Sequence, residues 1–224
     1  MGLFGKKKAK AKQSDVDDVL GAEAERTQGP YDEAEAPEDD ELLECGALKL
    51  PPVEDATIQF TVERNREVVL GAVYIIGESA LQLQVFAAPK SSSLWEDVRA
   101  DMIASIASQG GSSREADGEY GQEIHAQMPI EGARTVNPVR YLGIDGPRWL
   151  LRATLTGRAA VDDAEASAVL HAVLDRLVVV RGPAAHPPRD ILPLEVPRSN
   201  SKQSEPQRER LSLPRRGPEI SEVR

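Results

Sequence analysis

The segment Tyr141-Leu142-Gly143-Ile144-Asp145-Gly146-Pro147-Arg148-Trp149-Leu150-Leu151-Arg152, followed by Asp162 to Leu177 and Val178-Val179-Val180-Arg181-Gly182, decides the fold. Its first part is two apolar runs flanking Asp145-Gly146-Pro147. Asp-Gly is a strong hairpin signal, because a tight turn needs positive φ and glycine supplies it without steric cost. On the second run Trp149, Leu151, Ala153 and Leu155 share one face, and Arg148, Arg152, Thr154 and Thr156 share the other. Asp162-Asp163-Ala164-Glu165 is a capping box that opens a helix. Ala166, Val169, Leu170, Val173 and Leu177 follow at helical spacing. The β-branched run Val178 to Val180 reads as a last strand. Strand, turn, strand and packed helix in this order predict an α+β sandwich.

Upstream, Ile58, Phe60 and Val62 alternate with polar residues, as in a strand with one buried face. Asn65 marks a turn. Val68 to Ile76 is apolar on both parities and predicts a central strand covered on both faces. Leu81, Leu83 and Val85 alternate with glutamines in a third strand. Ser93-Leu94-Trp95-Glu96 reads as another capping box, with Leu94, Val98, Met102 and Ile106 as the helical stripe and Gly110-Gly111 as the stop. Ser112 to Gly118 reads as a loop. Ile124, Ala126 and Met128 form a fourth strand ended by Pro129. The order is β-β-β-α-β-β-β-α with a possible final β. It predicts a mainly antiparallel sheet covered by two helices.

Composition divides the chain into a tail over 1–45, one domain over 46–197 and a second polar tail over 198–224. Lysines cluster at Lys6, Lys7, Lys8, Lys10 and Lys12, and acidic residues then run to Glu44. Such stretches bury too little apolar surface to offset chain entropy, so both tails are expected to be disordered. Between Pro183 and Pro197 there are five prolines, which exclude a regular helix. Ile191, Leu192, Leu194 and Val196 are expected to pin this segment across the domain. Pro187-Pro188-Arg189-Asp190 offers an alternative as an extended partner ligand.

A net charge of −10 argues against a general nucleic-acid binder. The lysine arm, with Leu3 and Phe4, leaves local contact with nucleic acid or an anionic membrane as an alternative. Cys45 is the single cysteine, which excludes an intrachain disulfide and a multi-cysteine zinc site. Neighbouring carboxylates should oppose its thiolate. The longest apolar run is too short to span a bilayer as a helix. Cytoplasmic localisation is the resulting expectation.

The candidate binding residues are Arg148, Arg152, Arg140, Trp149 and Asp145. Two arginines on one strand face, with Arg140 on the neighbouring strand, suit a phosphate or a partner carboxylate. The competing reading pairs them with acidic side chains on a solvated face, and makes Trp149 a core residue beside Leu151 and Leu155. His125, His171 and His186 show no metal-ligand spacing, and His125 is expected to face solvent. No catalytic, metal or cofactor motif is present.

Gly143 to Arg152, Val178 to Gly182 and Pro187-Pro188-Arg189-Asp190-Ile191-Leu192-Pro193-Leu194 resemble an uncharacterised family of small proteins from high-GC Gram-positive bacteria. The lysine-rich start and acidic linker resemble it too. The likeness covers residues 45–197 and implies a domain of unknown function, with no catalytic residues to carry over. It also implies a loose association with dUTPase genes. The element order is similar to Mog1/PsbP-like sandwiches, which implies a binding or accessory module. The expected function is therefore a non-enzymatic module with a protein partner. The alternatives are an enzyme or nucleotide-metabolism factor, with His125, Asp145 and Arg148 in one cleft, and association through the lysine arm.

Overall fold

A computed structural model describes residues 29–63, 68–90, 92–130 and 132–197. The strands in chain order are β1 (Tyr31–Asp32), β2 (Leu43–Cys45), β3 (Leu48–Leu50), β4 (Ala56–Glu63), β5 (Val68–Ile76), β6 (Ser79–Ala87), β7 (Ser112–Gly118), β8 (Gly121–Pro129), β9 (Val136–Gly146), β10 (Trp149–Gly157) and β11 (Val178–Val179). Helix α1 spans Trp95–Ser108 and α2 spans Asp163–Leu174, with a 3-10 turn at Arg158–Ala160 just before α2. Seven strands form one antiparallel sheet ordered β4-β5-β6-β10-β9-β8-β7. The others form a small sheet ordered β1-β11-β3-β2, in which β1 and β11 run parallel. The fold is mixed α+β, and strands dominate it.

Strand parity gives the large sheet two unlike faces. The core face carries Leu81, Leu83, Val85, Leu142, Leu151 and Leu155, all buried against α2 and the small sheet. The outer face carries Ile124, Ala126 and Leu150, which pack against Leu94, Trp95 and Ile106 of the α1 segment. Helix α1 lies against β7, β8 and β9. Beyond it, toward β5, the outer-face residues Val73, Ile75, Gln82 and Thr154 are only half-buried.

Several expectations are corrected. The hairpin between β9 and β10 turns at Pro147-Arg148, because Gly146 already pairs with Trp149. Arg148 itself takes the positive φ of 65°. Its carbonyl accepts from Ala88 N–H at 2.9 Å and from Arg181 Nε at 3.2 Å, which holds that conformation. Glycine is needed at 146 for another reason: a Cβ there would lie 2.1 Å from the Trp149 ring. Ser112–Gly118 is an edge strand rather than a loop. Its polar sequence hides it, since an edge strand under little apolar cover needs no apolar face. Val68–Ile76 lies one strand in from the edge, and β10 is the central strand.

The domain also begins before residue 46. Tyr31 N–H donates to Leu177 O at 2.8 Å, and Asp32 accepts the Trp149 indole N–H at 2.8 Å. Asp39 and Glu41 both pair with Arg176. The acidic stretch is thus partly built into the fold, and composition alone cannot separate a solvated carboxylate from a paired one. Of the tails expected over 1–45 and 198–224, residues 1–28 and 198–224 lie outside the described residues, as does the Asn65 turn.

The proline-rich segment closes a gap in the large sheet. β5 and β6 pair only from Ala72–Leu83 to Ile76–Ser79. Where they diverge, Leu194 N–H bonds Val69 O of β5, and Leu192 N–H bonds Val85 O of β6. Leu192 and Leu194 are buried as expected, whereas Val196 is exposed. Arg189 pairs with Asp97 and Asp101 of α1, so Pro187 to Asp190 is engaged within the chain.

Candidate functional site

The five candidate residues separate once the strands are paired. Asp145 is on the outer face, where its carboxylate accepts from Ser93 Oγ at 2.6 Å and from Leu94 N–H at 2.9 Å. It caps α1, and so replaces the expected Ser93–Glu96 capping box. Helix α1 has no cap bond from a side chain at its own N-cap. At α2 the expected cap is present: Asp162 accepts from Ala164 and Glu165 N–H. Trp149 is fully buried and serves the core. Arg140 points to the core face, the opposite side from Arg152, where it bonds Ala160 O and pairs with Asp163. Arg148 sits in the turn, outside the strand, so parity does not join it to Arg152. The expected arginine face therefore does not form.

Arg152 alone keeps the character of a binding residue. It projects from β10 on the outer face, beside the part of the sheet that α1 leaves open. Its guanidinium lies 5.0 Å from the Phe86 ring centroid, and Nη2 donates to Gln84 Oε1. Nε is buried and finds no hydrogen-bond acceptor. Among the described residues no carboxylate pairs with it within salt-bridge distance. Burial lowers its pKa, and Tyr141 opposes that effect. Arginine nevertheless stays charged in proteins, so the site holds a partly desolvated cation without a counter-ion. Burial also raises the Tyr141 pKa, with Arg152 acting against it. Tyr141, Phe86 and Gln84 were not among the site candidates, because the register that places them on the face of Leu150 and Arg152 is not visible in single strands.

One histidine differs from expectation as well. His125 is half-buried on the core face, between Arg114 and Glu123. Asp145 is on the outer face and Arg148 in the turn, so the cleft required by the enzyme alternative is not assembled from those residues. His171 bonds Asp175 and Glu119. Cys45 is buried, and burial rather than nearby carboxylates lifts its thiol pKa to about 11. Among the described residues no cluster of three His, Cys, Asp or Glu side chains is placed to hold a metal. Lys6 to Lys12 lie outside the described residues.

The fold and site define a small α+β domain with one half-open sheet face bearing a lone, partly buried arginine. The chain belongs to a family described as protein of unknown function, DUF3710, whose model matches residues 29–203. That agrees with the resemblance carried by Gly143 to Arg152. No curated protein matches the chain. Among solved structures it is similar to the solution structure of cyanobacterial PsbP (CyanoP) from Synechocystis sp. PCC 6803, at 13% identity and a TM-score of 0.37, over 63% of this chain and 94% of that one. No described helix is long and apolar enough to cross a membrane.

Proposed function

We propose that the chain is a non-enzymatic, cytoplasmic binding or accessory module that docks an acidic segment of a protein partner on its outer sheet face. In this reading α2 and the small sheet close the core face. Helix α1 walls one side of the docking surface and leaves β5, β6 and β10 accessible. The observation that carries the reading is Arg152, whose Nε is buried without an acceptor. A charge taken partly out of water is costly unless paired. A partner carboxylate placed beside Phe86 and Gln84 would supply the counter-ion that the guanidinium lacks among the described residues.

The test is affinity purification with the wild type, Arg152→Gln and Arg152→Glu, after circular dichroism shows that the variants fold. A protein recovered with the wild type is expected to be lost with both variants. Equal recovery of that protein by all three overturns the proposal.

A further inference from the structure

A second polar site lies on the core face, where β7 and β8 pass the 3-10 turn and the start of α2. Its cavity of about 410 Å³ is lined by Arg114, His125, Arg140 and Asp163. A neighbouring space of about 380 Å³ shares those four residues and adds Glu123. Arg114 and His125 are cross-strand partners, and His125 is in turn opposite Arg140.

We propose that this cavity binds a small oxyanion, such as a phosphate or sulfate group, and that protonation of His125 opens it. The hydrogen-bond geometry favours one ring tautomer. Arg114 Nη2 lies 2.9 Å from His125 Nδ1, and a guanidinium can only donate. Nδ1 therefore carries a lone pair. Nε2 carries the proton and donates it to the buried Glu123 carboxylate at 3.1 Å. In this arrangement His125 is neutral and Arg114 is held down on it.

A proton added at Nδ1 sets two donors against each other, so Arg114 must turn away. Glu123 remains at Nε2 and supports the imidazolium. The Nδ1–H of His125 and the Arg114 guanidinium then both face the cavity and need a shared acceptor, which an oxyanion supplies.

The surrounding charges permit this. Arg140 is committed to Asp163 and Ala160 O but adds positive potential. With His125 protonated, the cations Arg114, His125 and Arg140 outnumber the carboxylates Glu123 and Asp163. Asp117 and Glu119 border only the neighbouring space. Asp117 accepts from Gln122, and Glu119 pairs with His171 at 2.9 Å.

The experiment is calorimetric titration of the full chain with sulfate, whose charge is constant between about pH 5.5 and pH 8, a range across which histidine loses its proton. Saturable binding is expected at the lower pH, weakening by about tenfold or more at the higher one. Arg114→Gln and His125→Gln should abolish it, while Arg148→Gln should leave it intact. Absent binding at the lower pH, equal binding at both, or binding retained in the folded Arg114 and His125 variants overturns the proposal. Two-bond proton–nitrogen spectra at the higher pH provide a separate check: the His125 proton should reside on Nε2, and a proton on Nδ1 removes the gate.

Discussion

The Asp145 carboxylate, at the end of β9, accepts the Leu94 backbone N–H at 2.9 Å and caps α1 from 51 residues away in sequence. The first N–H groups of a helix have no partner within it, and negative charge is favoured beside them. A cap from a distant strand also fixes where the helix docks. Asp145→Ala should cost about 1–2 kcal/mol in urea unfolding. Ser93→Ala should cost less, since Ser93 only donates to the same carboxylate.

Gly143 faces the indole of Trp95, and a Cβ there would lie 2.0 Å from the ring. Trp95 is itself anchored, because its indole N–H donates to Gln122 O at 2.7 Å. Retreat of the ring would strain or break that bond. Gly143→Ala is therefore expected to destabilise the domain by about 1–3 kcal/mol, measured by chemical unfolding.

Replacing Arg152 should separate stability from binding. Among the described residues its Nε has no acceptor and its charge no counter-ion, whereas methionine would fill similar volume without either cost. Arg152→Met is expected to raise thermal stability by about 1 kcal/mol, or roughly 2–4 °C in Tm. The same variant should lose the partner recovered by the wild type.

His171 links the tip of the β7–β8 hairpin to α2. It bonds Asp175 at 3.1 Å and Glu119 at 2.9 Å, and packs near Tyr120. The Asp175 hydrogen bond, followed by the charges of Asp175 and Glu119, raises its pKa above the ordinary 6.5 despite an opposing desolvation effect. A histidine pKa raised on folding means that the folded state binds the proton more tightly. The stabilisation is full below the unfolded-state value and disappears as pH rises through the folded one. The stability difference between wild type and His171→Gln should therefore shrink with increasing pH, as thermal melts across that range would record.

The buried Cys45 thiol, with a pKa of about 11, should resist alkylation in the native state. Mass-spectrometric labelling is expected to reach it only when denaturant unfolds the domain.

Much of the architecture was legible because periodicity reports burial. The stripes Leu94–Ile106 and Ala166–Val173, and the alternation in β6, β8 and β10, are patterns that a one-sided environment imposes; in β4 it holds for Ile58 and Phe60, but a bulge at Thr61–Val62 leaves Val62 exposed, against expectation. Ser112–Gly118 was not legible, since an exposed edge strand carries no such pattern. Nor was the role of Tyr31 to Glu41, whose acidic residues look solvated until Trp149 and Arg176 are placed beside them. The candidate site was legible only in part. Parity correctly assigned Trp149 to the core. It failed at Arg148, which leaves the strand, and at Arg140, whose residue offset across the hairpin places it on the other face. The Arg114–His125–Glu123 chain depends on strand register, which single-strand patterns do not disclose.

The segment holding Leu192 and Leu194 between β5 and β6 has a consequence for synthesis. Sheet hydrogen bonds of Val69 and Val85 wait for residues made more than a hundred positions later. A nascent chain that has finished β10 and α2 still lacks the segment that bridges β5 and β6 at Val69 and Val85. Pairings over such sequence distances slow folding. The seam between β5 and β6 thus closes only after the strands on either side of it have been made.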